Sequence, residues 1–360
     1  MNAAADAMEL SSELPADGLL GMAERGYLPD ALLRLGIRRQ CAQRLRDEHA
    51  GDPAMAARRN VALIEELRCS PVAIHADAAN RQHYELPPEF FRRCLGPRLK
   101  YSGCYYPAGN ETLAQAEEAM LALCGERAQL ADGQDILELG CGWGSLTLWM
   151  AERYPNARIT AVSNSVPQRR FIELQCLLRG LGNVSVVTCD VNRLELPAGG
   201  FDRCVSVEMF EHMRNYATLL LRIDTWLRDH GKLFVHIFCH RTLSYPFETN
   251  GSDNWMGRHF FTGGLMPAAD TLLWFQDNLR IEDRWFVDGT HYQRTANHWL
   301  ANQDADRDAV MGILRKTHGD AAPLWFQRWR MFWMACAELF GYDHGHEWMV
   351  AHYRFAKGAA

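Results

Sequence analysis

Apolar residues follow a helical period up to about residue 130 of the chain. Beyond Pro29 they recur every three or four positions among arginines, which predicts a basic amphipathic helix. Residues 60–67 and 88–95 show the same spacing over shorter stretches. The first 20 residues are instead rich in Ala, Glu and Ser, a composition typical of disorder. We therefore expect a disordered segment over residues 1–20 and a helical region over residues 21–130.

From residue 131 onward, short apolar runs alternate with helical patterns. The runs are typical of buried strands and cover residues 135–140, 158–162, 184–188, 201–207, 232–238, 281–286 and 348–355. Helical spacing separates the first five runs. Because strand–helix–strand crossovers give this alternation, the sequence predicts an α/β fold built on a mostly parallel, seven-stranded sheet. The predicted parts are a core over residues 131–240, a cap with completing elements over 241–347, and the last strand and tail over 348–360.

The composition argues against several classes of protein. With 360 residues, 48% hydrophobic and 23% charged, the chain has the profile of an ordinary globular protein. Acidic residues outnumber basic ones by 44 to 38, which argues against a nucleic acid partner. No apolar run approaches the ~20 residues that cross a bilayer, and early acidic residues are unlike a secretory signal. We therefore expect a cytoplasmic protein without an integral membrane segment.

Neither the cysteines nor the histidines predict a metal site. The 11 cysteines include no Cys-x-x-Cys pair, so most are expected to be small buried residues. His236 and His240 flank Cys239, but on a strand they would stand about 13 Å apart, too far to bind one ion. A second group, His344, His346 and Glu347, lies near the end of the chain. No metal is expected.

A glycine-rich turn follows the first predicted strand and opens a helix. It reads Glu138-Leu-Gly140-Cys-Gly142-Trp-Gly144. Glycines allow positive φ and let backbone amides approach a ligand without a Cβ in the way. Dinucleotide-binding folds carry an acid at the end of the second strand, whereas this strand runs into Ser-Asn-Ser. The turn resembles the signature of class I S-adenosylmethionine-dependent methyltransferases; a turn that binds no ligand is the alternative.

Two carboxylates and a histidine follow the predicted strand over residues 201–207. If the chain is helical there, the spacing of Glu208, Glu211 and His212 places them on one face. A carboxylate can bind an ammonium group, and His or Glu can accept its proton. The cluster therefore favours methylation of an amine, although the side chains could also simply cap and pair within a helix.

Four segments outside the glycine turn narrow the resemblance. They are Asn-Arg-Gln-His-Tyr-Glu-Leu-Pro at 80–87, Leu-Lys-Tyr-Ser-Gly-Cys-Tyr at 99–105, Thr-Ala-Val-Ser-Asn-Ser at 160–165 and Val-Glu-Met-Phe-Glu-His-Met at 207–213. Together they resemble the cyclopropane fatty acid synthase superfamily and, within it, the coclaurine N-methyltransferase group. The resemblance covers about residues 25–357.

The resemblance implies a set of site residues. Those expected to contact S-adenosylmethionine are Tyr101, Ser102, Gly140, Gly142, Gly144, Asn164, Gln168, Asp190, Val191 and Val207. Those expected to act in catalysis are Glu85, Glu208, Glu211 and His212. The helical region over residues 21–130 would cover the active site, and relatives suggest a homodimer.

The resemblance also leaves a second reaction open. Cyclopropane synthases of the superfamily methylate lipid alkenes and carry a Tyr-Ser-Cys motif, whereas this chain has Tyr101-Ser102-Gly103. Glu211 and His236 nevertheless match residues of their bicarbonate site. We predict methyl transfer to the nitrogen of a small aromatic or heterocyclic amine, with S-adenosylhomocysteine as the other product. The alternatives are lipid cyclopropanation or C-methylation, and a binding protein without catalysis.

Aromatic residues are concentrated in the last third of the chain. Of 38 aromatics, 19 lie after residue 250, including eight of the 11 tryptophans. Aromatic faces can stack on a ring and attract an ammonium group. The candidates for an acceptor pocket are Trp255, Trp274, Trp299, Trp325, Trp329 and Trp333. The alternative is that these residues pack a helical cap.

Overall fold

The computed structural model describes residues 16–74, 86–251 and 254–358, with a seven-stranded sheet at the centre. Its strands are β1 (Asp135–Leu139), β2 (Arg158–Ser163), β3 (Val184–Thr188), β4 (Phe201–Val207), β5 (Leu227–His240), β6 (Tyr245–Pro246), β7 (Leu265–Met266), β8 (Leu279–Val287) and β9 (Trp348–Lys357). The large sheet has the order β3-β2-β1-β4-β5-β9-β8, and β6 pairs with β7 separately. The predicted mostly parallel sheet of seven strands is confirmed.

The strand directions show where the parallel part of the sheet ends. Strands β1 to β5 pair in parallel, whereas β9 lies antiparallel to both β5 and β8. Strand β5 is longer than predicted because Leu227 still pairs with Phe201, ahead of an irregularity in the register. On the other side, His236 of β5 stands directly opposite His352 of β9. The last strand thus brings residues from the chain end to the centre of the sheet.

Twelve α-helices are described around the sheet. They are α1 (Gly18–Glu24), α2 (Asp30–Asp47), α3 (Pro53–Cys69), α4 (Pro88–Cys94), α5 (Leu113–Arg127), α6 (Ser145–Arg153), α7 (Val166–Arg179), α8 (Tyr216–Trp226), α9 (Trp255–His259), α10 (Gly289–Ala305), α11 (Arg307–His318) and α12 (Ala322–Phe340). Within the described ranges, none of these helices is long and apolar enough to cross a membrane.

The helices before the sheet pack against the cap through buried ion pairs. Glu24 of α1 is fully buried and accepts from Arg328 of α12 at 2.8 Å. Arg34 of α2 reaches Glu338 of α12 at 2.7 Å. Helix α1 begins at Gly18, so the prediction of disorder to residue 20 is wrong for its last three residues, whereas residues 1–15 lie outside the described ranges.

The tryptophans of the cap mostly hold its helices together. Trp299 of α10 packs on Trp333 of α12 with ring centroids 5.2 Å apart, and Trp329 lies 5.0 Å from Trp333. All three are at most 1% exposed. Trp274, by contrast, is 46% exposed. The predicted aromatic cap is present, but its tryptophans chiefly form a core between α10 and α12.

Candidate active site

Two cavities lie above the carboxyl ends of the parallel strands. The first, called the edge cavity below, has an empty volume of about 800 Å³, part of it open to solvent. It is lined by residues 73, 74, 139, 140, 142, 162–164, 168, 189–191, 194, 208, 209, 212 and 213. The second, called the aromatic cavity, has an empty volume of about 720 Å³, part of it open to solvent. It is lined by residues 101, 208, 212, 238, 247, 256, 261, 266, 292, 299, 332, 336, 339 and 340. Glu208 and His212 line both. The two cavities therefore meet at a carboxylate and an imidazole.

The glycine turn shapes the floor of the edge cavity. Gly140 has φ +79°, and an added Cβ would lie 2.6 Å from Met209 Cβ. Gly144 also has φ +79°, and its added Cβ would lie 2.7 Å from Ile172 Cγ1, so this glycine packs against α7 and does not line the cavity. Gly142 has φ +53° with open space where a Cβ would stand. The turn needs glycine for its backbone at all three positions, and Gly142 keeps its backbone open to a ligand.

Four more of the residues predicted to contact the cofactor line the edge cavity beside the turn. They are Asn164, Gln168, Asp190 and Val191. The side chain of Gln168 is held by Ser163, whose hydroxyl donates to its Oε1 at 2.6 Å. Its Nε2 is buried, and no described residue accepts from it. Asp190 caps the turn after β3, with Oδ1 accepting from Asn192 N at 2.8 Å. A buried donor in α7, the helix after β2, and an acid after the neighbouring β3 fit a ligand with several polar groups.

Three other residues predicted for the cofactor lie elsewhere. Tyr101 lines the aromatic cavity, where its ring lies 5.8 Å from that of Trp299. Ser102 is buried behind the cavities and accepts from Lys100 Nζ at 2.5 Å. Val207 is the last residue of β4 and packs against the core. The structure thus brings Tyr101 to the acceptor side and leaves Ser102 and Val207 in supporting positions.

Glu208 is fixed at the junction by three hydrogen bonds. Its Oε1 accepts from Gly103 N at 2.9 Å and lies 3.1 Å from His236 Nε2, and its Oε2 accepts from Tyr292 Oη at 2.7 Å. The backbone has φ +47°, a strained value for a residue other than glycine. Burial raises the pKa of Glu208, although the Lys100 ammonium and the donors to the carboxylate oppose the shift. Such strain at a cavity wall is typical of functional positions.

Glu211 and His212 lie on a single 3-10 turn, Phe210–His212, and point to different places. His212 lines both cavities, and its ring lies 4.6 Å from that of Phe261. Glu211 lines neither; it is fully buried and its Oε1 accepts from Phe238 N at 2.7 Å. The predicted helical face is wrong because Glu208 has positive φ and the turn is too short for i,i+3 neighbours to align. Glu85 lies outside the described residues.

Burial separates the protonation states of the two residues on this turn. It lowers the pKa of His212 to about 4, so that the imidazole is neutral near pH 7. Burial and the nearby Glu208 carboxylate raise the pKa of Glu211 well above its usual range. Glu211 is therefore suited to a neutral supporting role, and Glu208 and His212 are the groups that can accept a proton in the cavities.

The sequence did not reveal two residues that act on Glu208: Tyr292, which donates to it, and Lys100, whose charge opposes the rise in its pKa. Tyr292 comes from α10, 84 positions along the chain, and the buried Lys100 lies beneath Ser102 and Gly103. Nothing in the local pattern of either segment marks them, because Tyr292 and Lys100 both lie far from Glu208 in the sequence. Of the six tryptophans predicted for an acceptor pocket, only Trp299 lines the aromatic cavity in the described structure; its other rings are mainly phenylalanines.

The fold and the edge cavity together define a class of protein. A glycine turn directly after β1, in a mostly parallel sheet, with a cavity at the carboxyl edge, is the arrangement of class I S-adenosylmethionine-dependent methyltransferases. Residues 73–346 match the family model described as mycolic acid cyclopropane synthetase, and the chain belongs to that family.

Known proteins place the chain within the family. (S)-coclaurine N-methyltransferase from Thalictrum flavum subsp. glaucum is 38% identical over 344 residues, which are 94% of this chain and 95% of that enzyme. A crystal structure of coclaurine N-methyltransferase bound to N-methylheliamine and S-adenosylhomocysteine matches with a TM-score of 0.90 and 35% identity, over 99% of this chain and 100% of that one. The predicted group, the cofactor and the assignment as an N-methyltransferase are confirmed.

A more distant relative marks the other branch of the family. The cyclopropane-fatty-acyl-phospholipid synthase of Escherichia coli (strain K12) is 30% identical over 221 residues, which are 61% of this chain and 54% of that enzyme. The similarity to the N-methyltransferase is therefore both higher and longer.

Proposed function

We propose that the chain transfers the methyl group of S-adenosylmethionine to the nitrogen of a small aromatic or heterocyclic amine. The observation that carries this proposal is the junction of the two cavities at Glu208 and His212. A ligand in the edge cavity and one in the aromatic cavity would approach each other only there. Both residues can interact with an amine at the place where the two ligands meet.

The edge cavity supplies the groups that would hold the cofactor. The open backbone at Gly142, the buried Nε2 of Gln168 and the carboxylate of Asp190 line it from three neighbouring strand ends. Gly140 has no Cβ, so Met209 packs directly against the turn and helps to form the floor. When bound, S-adenosylmethionine supplies an electrophilic methyl group on a positively charged sulfur.

Glu208 is the residue best placed to receive the ammonium form of the amine. A carboxylate has about four acceptor sites, and Gly103, His236 and Tyr292 occupy three of them. The remaining site, on Oε2, can accept an N–H from the substrate. Glu208 or the neutral His212 then takes that proton, which frees the nitrogen lone pair to form the new N–C bond as the S–C bond breaks. Holding the nitrogen in line contributes further acceleration.

The aromatic cavity determines which amines fit. Five phenylalanines line it, at positions 238, 247, 261, 332 and 340, together with Tyr101, Tyr292 and Trp299. These rings can stack on a ring system and attract its ammonium group. Apart from Glu208 and His212, the polar atoms of the described lining are few, so substrates with charged groups away from the nitrogen should bind poorly.

The same site fits the methylation of a lipid alkene less well than the methylation of an amine. A bicarbonate base would need donors next to Gly103 and His236, and Glu208 already uses Gly103 N and His236 Nε2. The protein's own carboxylate therefore fills the position that an external anion would take. This occupation favours an amine over an alkene as the methyl acceptor.

A transfer assay tests the proposal. The protein is incubated with methyl-labelled S-adenosylmethionine and a panel of benzylic and isoquinoline-type amines, and in parallel with vesicles of unsaturated phospholipid. We expect label on an amine nitrogen, located by mass spectrometry of the product. Label found only in the lipid fraction would overturn the proposal. The cytoplasmic location and the homodimer stay predictions, which cell fractionation and sedimentation would test.

A further inference from the structure

A line of hydrogen bonds runs from the end of α5 to the carboxylate at the cavity junction. Arg127 NH1 lies 2.8 Å from His352 Nδ1, and His352 Nε2 lies 2.9 Å from His236 Nδ1. His236 Nε2 in turn lies 3.1 Å from Glu208 Oε1. Both histidines are fully buried and stand opposite each other on β5 and β9. The line therefore begins at a half-buried cation and ends in the cavities.

The chemistry of the first residue sets the direction of every bond in this line. A guanidinium can only donate, so His352 Nδ1 must accept and the proton of that ring lies on Nε2. His352 Nε2 then donates to His236 Nδ1, which places the proton of His236 on Nε2, facing Glu208. Burial and nearby cations lower the pKa of both histidines well below the ordinary value, so each ring is neutral and has one proton to place.

Arg127 is held in position by its surroundings. Its guanidinium lies over the ring of Trp285, 5.1 Å from the centroid, and its carbonyl accepts from Arg354 NH1 at 2.9 Å. The guanidinium is stacked on a ring and its backbone is held by Arg354, so the side chain loses little freedom when it donates to His352. This anchoring is what a fixed direction of the hydrogen bonds requires.

The same histidines also stand near Cys124, and the three ligand atoms lie within 4.8 Å of one another. A metal ion is nevertheless disfavoured there. The Arg127 guanidinium adjoins the group, Lys100 is close enough to depress both imidazole pKa values, and burial raises the pKa of the Cys124 thiol to about 11. Neighbouring cations and a protonated thiol oppose cation binding, whereas the hydrogen bonds account for the arrangement.

We propose that Arg127, His352 and His236 form a chain of hydrogen bonds with one fixed direction, called the relay below. The relay presents an N–H to Glu208 and keeps the carboxylate an acceptor. A proton could leave Glu208 through the relay only if both rings first carried their own proton on Nδ1. The Nδ1–H of His352 would then face the Arg127 guanidinium, which would have to accept it. Arg127 has no acceptor, so the proton taken from the ammonium must leave through the cavities. The inference rests on the proposed role of Glu208, and Arg127 and His352 are positioning residues.

Other titratable groups also interact electrostatically with Glu208. Lys100, His212 and Tyr292 act on the pKa of Glu208, and the Glu208 carboxylate in turn raises the pKa of Cys104, Cys124, Glu211 and Cys336. None of them is altered in the variants below. A change in the titration of Glu208 in those variants therefore reports the relay.

A spectroscopic test needs no substrate. In protein carrying ¹⁵N-labelled histidine, the relay predicts the Nε2–H tautomer for both His236 and His352, with assignments from single His→Gln variants. Arg127→Met should leave His352 with a mixture of tautomers, whereas Arg203→Met should not. Arg203 is a matched control, since it is also half-buried but donates to backbone carbonyls. An Nδ1–H tautomer in the native protein, or no change in Arg127→Met, would overturn the relay.

A kinetic test follows the relay to the reaction. Because the relay donates to the charged carboxylate, its loss should raise the pKa of Glu208. Arg127→Met and His352→Leu should therefore move the acid limb of kcat upward by about half a pH unit. We expect kcat about tenfold lower, as when a group behind a functional histidine is removed, with cofactor Kd unchanged. His352→Gln, which keeps a donor and an acceptor, should restore the limb.

The outcomes separate the relay from the proposed function. Folded Arg127→Met and His352→Leu variants with an unmoved acid limb would overturn the relay, and so would an equal loss in Arg203→Met. If the tautomers are as predicted but no amine is methylated, the relay stands and the proposed function fails.

Discussion

The two cavities are built in different ways, although they share a wall. The edge cavity is formed by backbone turns at the ends of neighbouring parallel strands, and its key positions lie within about 75 residues of one another. The aromatic cavity is formed mainly by side chains from β5, from α9 and the segments on either side of it, from α10 and from α12. These elements are far apart in the sequence. A site made of backbone turns has a local signature in the sequence. A site made of packed rings has none.

The largest effect is expected at the turn. Gly140→Val would place a branched side chain at φ +79°, with its Cβ 2.6 Å from Met209. We expect loss of cofactor binding by at least about a hundredfold, since both the backbone and the floor must move. Calorimetric titration with S-adenosylhomocysteine measures it. Gly133→Ala is the control, because Gly133 has φ +81° but open space around it, away from the cavities. Equal losses in both variants would mean that the turn is structural only.

The shared wall should affect turnover without affecting the cofactor. Glu208→Gln keeps the shape but removes the charge that receives the ammonium, so we expect kcat to fall by roughly 10² to 10³. Cofactor Kd, measured by calorimetry, should stay within about twofold. Glu211→Gln is the matched comparison, since Glu211 lines neither cavity. A larger loss of kcat in Glu211→Gln, with the fold intact, would show that Glu211, not Glu208, receives the ammonium.

The aromatic cavity should influence the acceptor alone. Phe261→Leu removes a ring that lines this cavity and lies against His212, but it leaves the edge cavity unchanged. We expect KM for the amine to rise about fivefold through loss of ring contacts, with cofactor Kd unchanged. Steady-state kinetics against both ligands test this. A change in cofactor affinity of the same size would contradict the division between the cavities.

The smallest effect is on pH dependence. Burial raises the pKa of Glu208, so its protonated form accumulates at a higher pH than that of an exposed glutamate. We therefore expect kcat/KM to fall as the pH drops toward the raised pKa of Glu208. His212, with a pKa of about 4, should stay neutral over the same range. The profile of Glu208→Gln should lack this acid limb. An unchanged limb in that variant would assign the titration to another group.

The sequence predicted the sheet because its buried strands are continuous apolar runs separated by helical periods. The family resemblance supplied Gly140, Gly142, Asn164, Gln168 and Asp190, which line the edge cavity because each lies at or just after the end of a parallel strand. The alignment of Glu208 with Glu211 could not be predicted, since the positive φ of Glu208 depends on contacts with distant residues.

Long-range pairing explains what was missed around the carboxylate. Tyr292 and His352 reach the site only through the packing of α10 and the antiparallel return of β9. The tryptophans of the cap illustrate the same limit, because composition indicated an aromatic region but not which rings would face a cavity. Trp299 does so, whereas Trp329 and Trp333 pack beside it.

A crystal structure with S-adenosylhomocysteine and a methylated aromatic amine tests the central claim most directly. We expect the adenosyl ligand in the edge cavity, the amine rings among the phenylalanines of the aromatic cavity, and the amine nitrogen within about 3 Å of Glu208 Oε2. An amine bound with its nitrogen away from Glu208 and His212, or outside the aromatic cavity, would contradict it.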